Sequence, residues 1–481
     1  MPQTPWTDNE SEQAFDPLDS LIADWLNPDA AEDDFRSDFF QGMAGRRQKA
    51  AFVFMAIWSL VMVLHSVSWG YGIVLALGGL LSLQALRLMA AKPEPLLSSL
   101  PLETLTVSEV PRVSLLVAAK NEEAVIQPLV EQLCQLDYPT DRYDVWIIDD
   151  ASTDKTPQIL DELVKRYANL QVVHRPAGSQ GGKSGALNEV LARCAGEIIG
   201  VFDADAQVPG DLLRQVVPYF AQEKMGAVQV RKAIANGDEN FWTRGQAIEM
   251  ALDTYFQQQR IVTGGIGELR GNGQFVAREA LNHCGGWNEE TITDDLDLTI
   301  RLHLDDWKIG VLPIPPVQEE GVTTAIALWH QRNRWAEGGY QRYLDYWRPI
   351  MGQPLGWRKK LDLVSFMLMQ YLLPTAAIPD LVVSLIRHHW PILTPLTYVA
   401  IAFSGWGTYH GLRRLEEPGR PLHQIFLRLG QTILGTLYML HWLVIMPCVT
   451  ARMAIRPKRL KWVKTVHGGH HESTLELGMR D

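Results

Sequence analysis

The stretch VSLLVAAKNEE, Val113 to Glu123, decides the fold class of this chain. A short apolar run with β-branched side chains predicts a buried strand, and the polar cluster KNEE follows where that strand ends. The same succession recurs in DVWIID (Asp144 to Asp149), LQVVH (Leu170 to His174) and EIIGVFD (Glu197 to Asp203). Stretches with helical spacing separate these runs. The alternation predicts an α/β domain with a mostly parallel sheet.

Polar clusters follow the other three predicted strands as well. They read DDASTDKT, GGKSGALN and DADA, in chain order. Because ligands of such sheets bind beyond the carboxyl ends of the strands, these clusters are the candidate site. GGKSGALN resembles a phosphate loop, but Ala177 stands where the first glycine is required and Gly178 comes one residue late. A nucleotide triphosphatase is therefore disfavoured, while Lys183 remains a candidate contact for a phosphate or ribose.

The DAD tripeptide at the end of the fourth run brings two carboxylates together. At a strand end, Asp203 and Asp205 can direct oxygens at a hard cation such as Mg²⁺ or Mn²⁺, which in turn binds diphosphate oxygens. Aspartates that cap a helix have the same local pattern. The tripeptide therefore predicts a metal site only in the company of the other motifs.

Apolar stretches flank the α/β region on both sides. The residues from Ala51 to Leu86 are almost uncharged and have basic residues at both ends, which predicts a two-helix membrane hairpin with both ends in the cytosol. Three more apolar stretches follow the α/β region, at Leu361–Ile386, Pro391–Gly411 and Ile425–Ala451. One globular domain therefore lies between two membrane blocks.

The number of C-terminal crossings stays open at the level of sequence. Three crossings would place the basic run RPKRLK, residues 456–461, outside, against the positive-inside tendency. Pro374, Pro379 and Asp380 make the first stretch the candidate for an interfacial or re-entrant segment. That choice would in turn move Arg413 and Arg414 outward.

Charge and cysteine content argue against several classes of protein. The net charge is −11, and residues 1–44 hold eleven acidic residues against the single Arg36, so the acidity belongs to a tail, either solvated or a short docking segment. This balance does not favour a nucleic-acid partner. The four cysteines show no CxxC spacing, which argues against a disulfide framework or a zinc site and fits a reducing, cytosol-facing domain.

Six motifs in chain order resemble the inverting family-two nucleotide-sugar glycosyltransferases, which have a GT-A fold. They are VSLLVAAKNEE, IIDDASTDKT, KSGALN, FDADA, TDD and QRNRW. The resemblance spans residue 111 to about residue 346. Beyond these short motifs, the longer stretches GGIGELRGNGQF, EEGVTTAIALWHQRNRWAEGGYQRYLDYW and the ending RPKRLKWVKTVH are similar to a cyanobacterial branch of that family that glucosylates lipids. This implies transfer of glucose from UDP-glucose to 1,2-diacylglycerol by an integral protein of the plasma or thylakoid membrane.

The resemblance also implies roles for the aspartates that follow the strands. Asp150 would contact the uracil, with Asp149 and Asp154 shaping the pocket around it. Asp203 would lie near the ribose and diphosphate, and Asp205 would hold the metal, Mg²⁺ or Mn²⁺.

The segment ITDDLDL, residues 292–298, supplies the remaining acids. Asp295 falls where the family keeps its catalytic base, with Asp294 beside it in the donor site. Close carboxylates raise one another's pKa, which would bring a base into a useful range. We assign Asp297 a structural role. The alternation of leucine and isoleucine with polar residues from 296 to 304 is typical of a strand, whereas the family has a helix here, and we expect the helix.

The QRNRW segment supplies the arginine that would bind the diphosphate. Gln331, Arg334 and Trp335 match the family's QxxRW signature, in which the arginine meets the diphosphate and the tryptophan helps to form the acceptor site. Downstream, aromatic and basic residues at helical spacing predict an interfacial amphipathic helix with an aromatic belt. These residues are Tyr340, Arg342, Tyr343, Leu344, Trp347 and Arg348.

The predicted organisation has seven parts. They are an acidic cytosolic tail (1–45), a transmembrane hairpin (50–91), a linker (92–110), the GT-A catalytic domain (111–323), the interfacial helix (324–350), a C-terminal transmembrane block (361–451) and a basic cytosolic tail (452–481).

Two other functions fit part of the sequence. A processive polysaccharide synthase shares the catalytic motifs, but many such enzymes carry an FxVT-type gating segment, which this sequence lacks, and three C-terminal apolar stretches are few for a polymer channel. A non-catalytic nucleotide-sugar sensor would keep Asp150 and Lys183 but would not need Asp205, Asp295 and QRNRW. The sequence therefore favours the enzyme that makes a glycolipid.

Overall fold

The computed structural model describes residues 45–103, 109–352, 355–415 and 423–455. The predicted acidic tail and nearly all of the predicted basic tail lie outside the described residues. Everything below concerns the described parts of the chain.

The catalytic domain is built on one seven-stranded sheet. Its strands are β1 Val113–Ala119, β2 Tyr143–Asp149, β3 Leu170–His174, β4 Ile198–Phe202, β5 Met225–Ile234, β6 Gln274–Ala277 and β7 Lys308–Glu319. Their order is β3-β2-β1-β4-β6-β5-β7. Neighbouring strands run parallel except at β6, which is antiparallel to both β4 and β5. The prediction of an α/β domain with a mostly parallel sheet is confirmed.

Helices cover both faces of this sheet. Those of the catalytic domain are α3 Ile126–Cys134, α4 Thr156–Leu163, α5 Gly182–Leu191, α6 Leu212–Val216, α7 Phe241–Val262, α8 Arg278–His283 and α9 Asp294–Leu304, and they are preceded by α1 Arg46–Ser66 and α2 Gly70–Ala90. In β1, Leu115 and Val117 face one apolar core and Leu116 faces the other. A strand that is buried on both faces has no polar side, which explains its continuous apolar run.

The rest of the described chain is helical. Its helices are α10 Ala325–Met351, α11 Trp357–Met367, a π-helical turn Leu368–Leu372, α12 Leu373–Arg387, α13 Thr394–Leu415, α14 His423–Met439 and α15 Trp442–Ile455. Helix α12 packs mainly on α1 and α15, whereas α13 packs mainly on α2, α7 and α14. The helices that flank the catalytic domain therefore form two groups.

Four described helical stretches are long and apolar enough to cross a membrane. They are Arg46–Ser66, Gly70–Ala90, Trp357–Arg387 and Gln424–Ile455. The stretch that we considered re-entrant because of Pro374 and Pro379 is among them, and helix α13 is not. By length and composition, the weaker candidate is thus the second C-terminal stretch and not the first.

Helix α13 nevertheless spans the same depth as α2. Just before its start, the amide of Leu393 donates a hydrogen bond to Asp380 of α12 (3.0 Å), which also contacts His65, near the end of α1 (2.7 Å). At its end, Arg414 donates to Gln259 (2.9 Å), and Gln259 donates to a carbonyl in the last turn of α2 (2.6 Å). The helix therefore runs from the α1–α2 turn to the catalytic-domain end of α2.

The aromatic face of α10 differs from the prediction. Tyr340, Tyr343 and Leu344 are buried, and both tyrosines belong to an apolar core with Tyr371 and residues of α15. Only Trp347, 49% exposed, and Arg348 point outward. The aromatic belt is therefore wrong for these three side chains, because an amphipathic pattern cannot distinguish a protein neighbour from a lipid neighbour. That α10 lies at the membrane surface stays a prediction.

Candidate active site

A cavity of about 560 Å³ opens at the carboxyl ends of β1, β2 and β4. Of the ten predicted site residues, all but Asp149 line it. The lining residues among them are Asp150, Lys183, Asp203, Asp205, Asp294, Asp295, Gln331, Arg334 and Trp335. The cavity does not end there, because it continues between the membrane helices as an apolar arm. We call the part lined by those nine residues the polar end.

Asp149, the last residue of β2, supports the loop that follows this strand. It is buried, accepts a hydrogen bond from the amide of Ser152 (3.0 Å) and contacts Nδ1 of His174 (2.8 Å). Its predicted neighbour Asp154 accepts bonds from the amides of Glu123 (3.1 Å) and Thr156 (2.9 Å). Both aspartates therefore fix the loops, and neither is placed to touch a ligand in this cavity.

Asp150 points into the cavity from the same loop. Its Oδ1 accepts a hydrogen bond from Arg175 (2.5 Å), and Lys120 lies 3.6 Å from its Oδ2. Ala151, the next residue, has a left-handed backbone (φ 56°) that turns the chain away from the sheet. The carboxylate is therefore held in place by two cations while part of it remains open to a ligand.

Lys183 reaches the cavity from the first turn of α5. Its Nζ lies 2.5 Å from Oδ1 of Asp203. Burial alone would lower the pKa of Lys183, but the charges of Asp203 and Asp294 outweigh it and raise the pKa. The preceding Gly181 needs its left-handed conformation (φ 81°), and a Cβ there would meet Glu289 at 2.4 Å. The loop thus positions Lys183, which stays protonated, next to the DAD motif.

Asp205 lies among more carboxylates than the sequence indicated. Burial, followed by the charges of Asp203 and Glu319, raises the pKa of Asp205 to about 7. Glu319, the last residue of β7, also lines the cavity and is 3.1 Å from Nζ of Lys232. Within the described residues, no three His, Cys, Asp or Glu side chains are arranged to hold a metal by themselves.

The TDD segment starts helix α9 and also lines the cavity. Asp294 and Asp295 occupy the first turn, where the helix dipole favours negative charge. Burial and the adjacent Asp294 raise the pKa of Asp295 to about 6. The helix predicted from the family resemblance is therefore confirmed, and the strand indicated by the period of two is wrong.

Asp297 faces away from the cavity and into the protein. It accepts hydrogen bonds from Arg301 (2.7 Å), Asn288 (2.9 Å) and Tyr346 (2.9 Å). All of its partners belong to the packing around α9. This geometry fits the structural role that we assigned to it.

Gly338 sets the distance between α10 and the TDD segment. A Cβ on this glycine would lie 2.1 Å from Oγ1 of Thr293, the residue that precedes Asp294. Helix α10 therefore packs directly on the start of α9. The QRNRW motif and the TDD motif are held at a fixed separation by this contact.

Trp335 stands against two cations. The guanidinium carbon of Arg332 is 3.9 Å from its ring centroid, and Nζ of Lys232 is 5.0 Å away. Arg332 is fully buried and pairs with Glu249, which also accepts a hydrogen bond from Trp442 of α15 (3.1 Å). The ring is therefore tied through Arg332 and Glu249 to the last described helix.

Four contributors to the site were missed from the sequence: Lys232, Glu249, Glu319 and Arg332. Three of them lie outside every motif, on β5, α7 and β7. Only Arg332 carries a local signal, because it stands inside QRNRW. Folding alone brings the other three to the cavity.

The neighbour of the proposed base offers a pH test. Replacing Asp294 by asparagine removes a negative charge that raises the pKa of Asp295, so that pKa should fall. At saturating divalent cation, the acid limb of kcat/KM for UDP-glucose, expected near pH 6, should move to lower pH by roughly one unit. The exposed Asp238→Asn change is the control. An unmoved limb, or a shift to higher pH, would contradict the coupling.

Comparison with known proteins shows which family the chain resembles. The family described as "Glycosyltransferase like family 2" matches residues 111–338. A beta-monoglucosyldiacylglycerol synthase from Synechocystis sp. is 67% identical over 99% of both chains. One from Nostoc sp. is 57% identical over 98% of this chain and 100% of its own length.

A solved structure is similar in fold. It is a mannosyltransferase from Pyrobaculum calidifontis in complex with GDP-Man and Mn²⁺, 21% identical, with a TM-score of 0.52. The match covers 80% of this chain and 99% of that one. The expected GT-A fold is thereby confirmed. On the full-length identities, this protein belongs to the beta-monoglucosyldiacylglycerol synthase family of family-2-like glycosyltransferases.

Proposed function

We propose that this protein is an inverting glucosyltransferase that moves glucose from UDP-glucose to 1,2-diacylglycerol and forms β-monoglucosyldiacylglycerol. One observation carries the proposal. A single cavity joins the cluster of carboxylates and cations at the sheet edge to an apolar space between the membrane helices. A sugar nucleotide suits the first part and a lipid suits the second, so both substrates can meet in one enclosed volume.

The donor half needs groups for uracil, ribose and diphosphate. Asp150 lies on the wall formed after β2, where the base would bind, and Lys183 and Asp203 lie deeper, where the ribose and diphosphate would follow. Arg334 adds a positively charged side chain to this part of the cavity. Burial lowers the pKa of its guanidinium, and the charges of Asp203 and Asp295 oppose that change. Arg334 thus lies where a departing diphosphate would need positive charge.

A divalent cation, Mg²⁺ or Mn²⁺, completes the donor site. Asp205 and Asp203 would hold it, because oxygen ligands are the preferred donors of both ions and one or two carboxylates plus substrate phosphates suffice. Burial, followed by the charges of Asp203 and Glu319, raises the pKa of Asp205, and a bound cation would offset those negative charges. When bound, the cation neutralises charge that develops on the leaving diphosphate.

Asp295 is the base in this account. An inverting transfer requires a carboxylate on the acceptor side of the anomeric carbon, which takes the proton of the attacking hydroxyl. Asp295 lies on α9 and lines the same cavity as the DAD motif, and its pKa of about 6 leaves it ionised yet basic near neutral pH. The glycerol hydroxyl would then approach along the wall formed by Trp335.

The location of the enzyme follows from its substrates. Four described helical stretches are long and apolar enough to cross a membrane. Because UDP-glucose is a cytosolic metabolite, the catalytic domain would face the cytosol at the plasma or thylakoid membrane. The main alternative, a processive polysaccharide synthase, would use the same polar end. The full-length similarity to lipid glucosyltransferases favours the lipid product.

The proposal is tested with purified protein in lipid nanodiscs. The protein is incubated with diacylglycerol and UDP-glucose, UDP-galactose or UDP-N-acetylglucosamine, and products are identified by mass spectrometry. The account expects one hexose per lipid and turnover mainly with UDP-glucose. A ladder of oligosaccharides would instead support the polymer synthase, and no transfer with any donor would leave a non-catalytic role.

Trp335 separates acceptor use from donor use. Replacing Trp335 by alanine removes the wall that would hold the glycerol backbone, so transfer to diacylglycerol should fall by about tenfold or more. The affinity for UDP-glucose should change by less than about threefold, since Trp335 lies outside the proposed nucleotide contacts. Trp347→Ala, on the exposed face of the same helix, is the matched control. Equal losses in donor binding and transfer would argue against the acceptor role.

A further inference from the structure

The apolar arm of the cavity is walled by residues of several helical segments. These are α2, α7, α11, α12, α13 and the junction of α14 with α15. Its lining includes Leu81, Ala85, Leu373, Ala377, Ala400 and Leu443. The catalytic groups do not need this space, since each of them lies at the polar end.

The arm lies between the two groups of helices. Helix α12 packs on α1 and α15, and α13 packs on α2, α7 and α14, yet α12 and α13 both contribute to the walls. The π-helical turn Leu368–Leu372 borders the arm where it meets the polar end, through Met369 and Tyr371. Such turns disrupt regular packing and are frequent at functional sites. The arm is thus a cleft between two packed units.

The arm starts at the catalytic-domain end of the membrane helices. Leu88 of α2 lies at that end, where its carbonyl accepts a hydrogen bond from Gln259 (2.6 Å). Leu81 also lines the arm, seven residues earlier, which is about 10 Å along a helix axis. One leaflet of hydrocarbon is about 15 Å thick. On α2 the arm therefore covers about two thirds of the leaflet nearest the catalytic domain, and Thr397, in the first turn of α13, extends it further.

The exposed residues of the lining indicate where the arm opens. Ile401 of α13, Leu440 of the junction and Leu443 of α15 line the cavity and are 43%, 46% and 38% exposed, whereas Leu81 and Ala85 of α2 are buried. The mouth of the arm is therefore assigned to the gap between α13 and the α14–α15 junction. At the depth of a membrane, this mouth faces acyl chains rather than water.

We propose that the apolar arm binds the acyl chains of the acceptor, and that the acceptor enters sideways from the cytosol-facing leaflet between α13 and the α14–α15 junction. This inference rests on the proposed function. A diacyl lipid whose hydroxyl lies near Asp295 and Trp335 extends its chains along the arm, because the arm is the apolar continuation of that end of the cavity. The enzyme thus takes its substrate without lifting it into water, which would expose both chains.

The test fills the arm with a large side chain. In Ala400→Trp the indole occupies the arm, and in the matched control Ala402→Trp it points outward, because Ala402 is exposed and lies outside the lining. Both proteins are assayed in nanodiscs with dioleoylglycerol and with the short-chain dihexanoylglycerol. We expect Ala400→Trp to lower turnover of the long-chain acceptor by at least about tenfold and that of the short-chain acceptor by less than about threefold. Ala402→Trp should change neither by more than about threefold.

A second measurement uses the unaltered protein. A diacylglycerol with a photoreactive diazirine in mid-chain is crosslinked in nanodiscs, and labelled peptides are identified by mass spectrometry. Label on the lining residues Ala400, Ser404 and Met446 supports the arm even if Ala400→Trp fails to fold. Equal loss with both acceptors, or label confined to outward-facing residues such as Tyr398 and Ala402, would overturn the acyl-chain site. If the unaltered protein makes no glucosyl lipid at all, the proposed function itself fails.

Discussion

Asp295→Asn should lower turnover by ~10²- to 10⁴-fold, the range usual for a lost general base, while UDP-glucose binds nearly as well as to the unaltered protein. A protonated glycerol hydroxyl is a poor nucleophile, so it must lose its proton as it attacks the anomeric carbon. Asparagine keeps the size and most of the hydrogen bonding of aspartate but cannot accept that proton. Nucleotide-sugar affinity by titration and lipid product per minute are measured on the same preparation.

Asp297→Asn is the informative comparison for that variant. Asp297 is buried against Arg301 (2.7 Å), so its replacement leaves a buried guanidinium short of a partner and should lower thermal stability. Per molecule that still binds UDP-glucose, however, its turnover should stay close to that of the unaltered protein. If Asp295→Asn keeps more than about a tenth of the turnover, or if Asp297→Asn is the more damaging change on this scale, the base has been assigned wrongly.

Asp205→Asn should lower turnover by ~10²-fold or more, with no recovery at high Mg²⁺ or Mn²⁺. The variant loses a carboxylate that would bind the cation, and the leaving diphosphate then loses several kcal/mol of stabilisation. The unaltered protein should lose activity in chelator and regain it when either ion is added back. The exposed Asp211→Asn change, six residues along the chain, controls for the loss of one charge. Full transfer by the unaltered protein or by Asp205→Asn in the presence of chelator would refute the metal assignment.

The strands of the donor half were predictable because they are buried on both faces. The bounds predicted for β1 (VSLLVAA, Val113–Ala119) and β3 are those of the structure, β2 begins one residue before its predicted start, and β4 is one residue shorter than predicted at each end. Strands β5 to β7 were not predicted. The antiparallel β6 is only four residues long, Gln274–Ala277, too short for a pattern to emerge.

Helix α9 shows why local periodicity failed. Leu298 and Leu302 pack in the core beneath the sheet, while Ile300 packs in the core with α10. A helix with apolar neighbours on two sides carries apolar residues around most of its circumference, so a period of 3.6 does not stand out. The family resemblance corrected the interpretation where the pattern alone predicted a strand.

The site was predictable in its motifs and not in its surroundings. The TDD, DAD and QRNRW segments all reach one cavity, as the resemblance implied. Lys232, which lies over the Trp335 ring, is on β5, and Glu249, which pairs with Arg332, is on α7, and neither element carries a motif. Their position depends on strand order and helix packing, which a single sequence does not encode locally.

The anomeric configuration of the lipid product tests the central claim most directly. The glucosyl lipid formed from UDP-glucose and diacylglycerol is isolated, and the coupling constant of its anomeric proton is read by NMR. UDP-glucose carries an α-linked glucose, so a single displacement assisted by Asp295 predicts a β-glucosyl diacylglycerol with the large coupling of two axial protons. An α-linked product, or glucose found in a polymer and not on the lipid, would contradict the account.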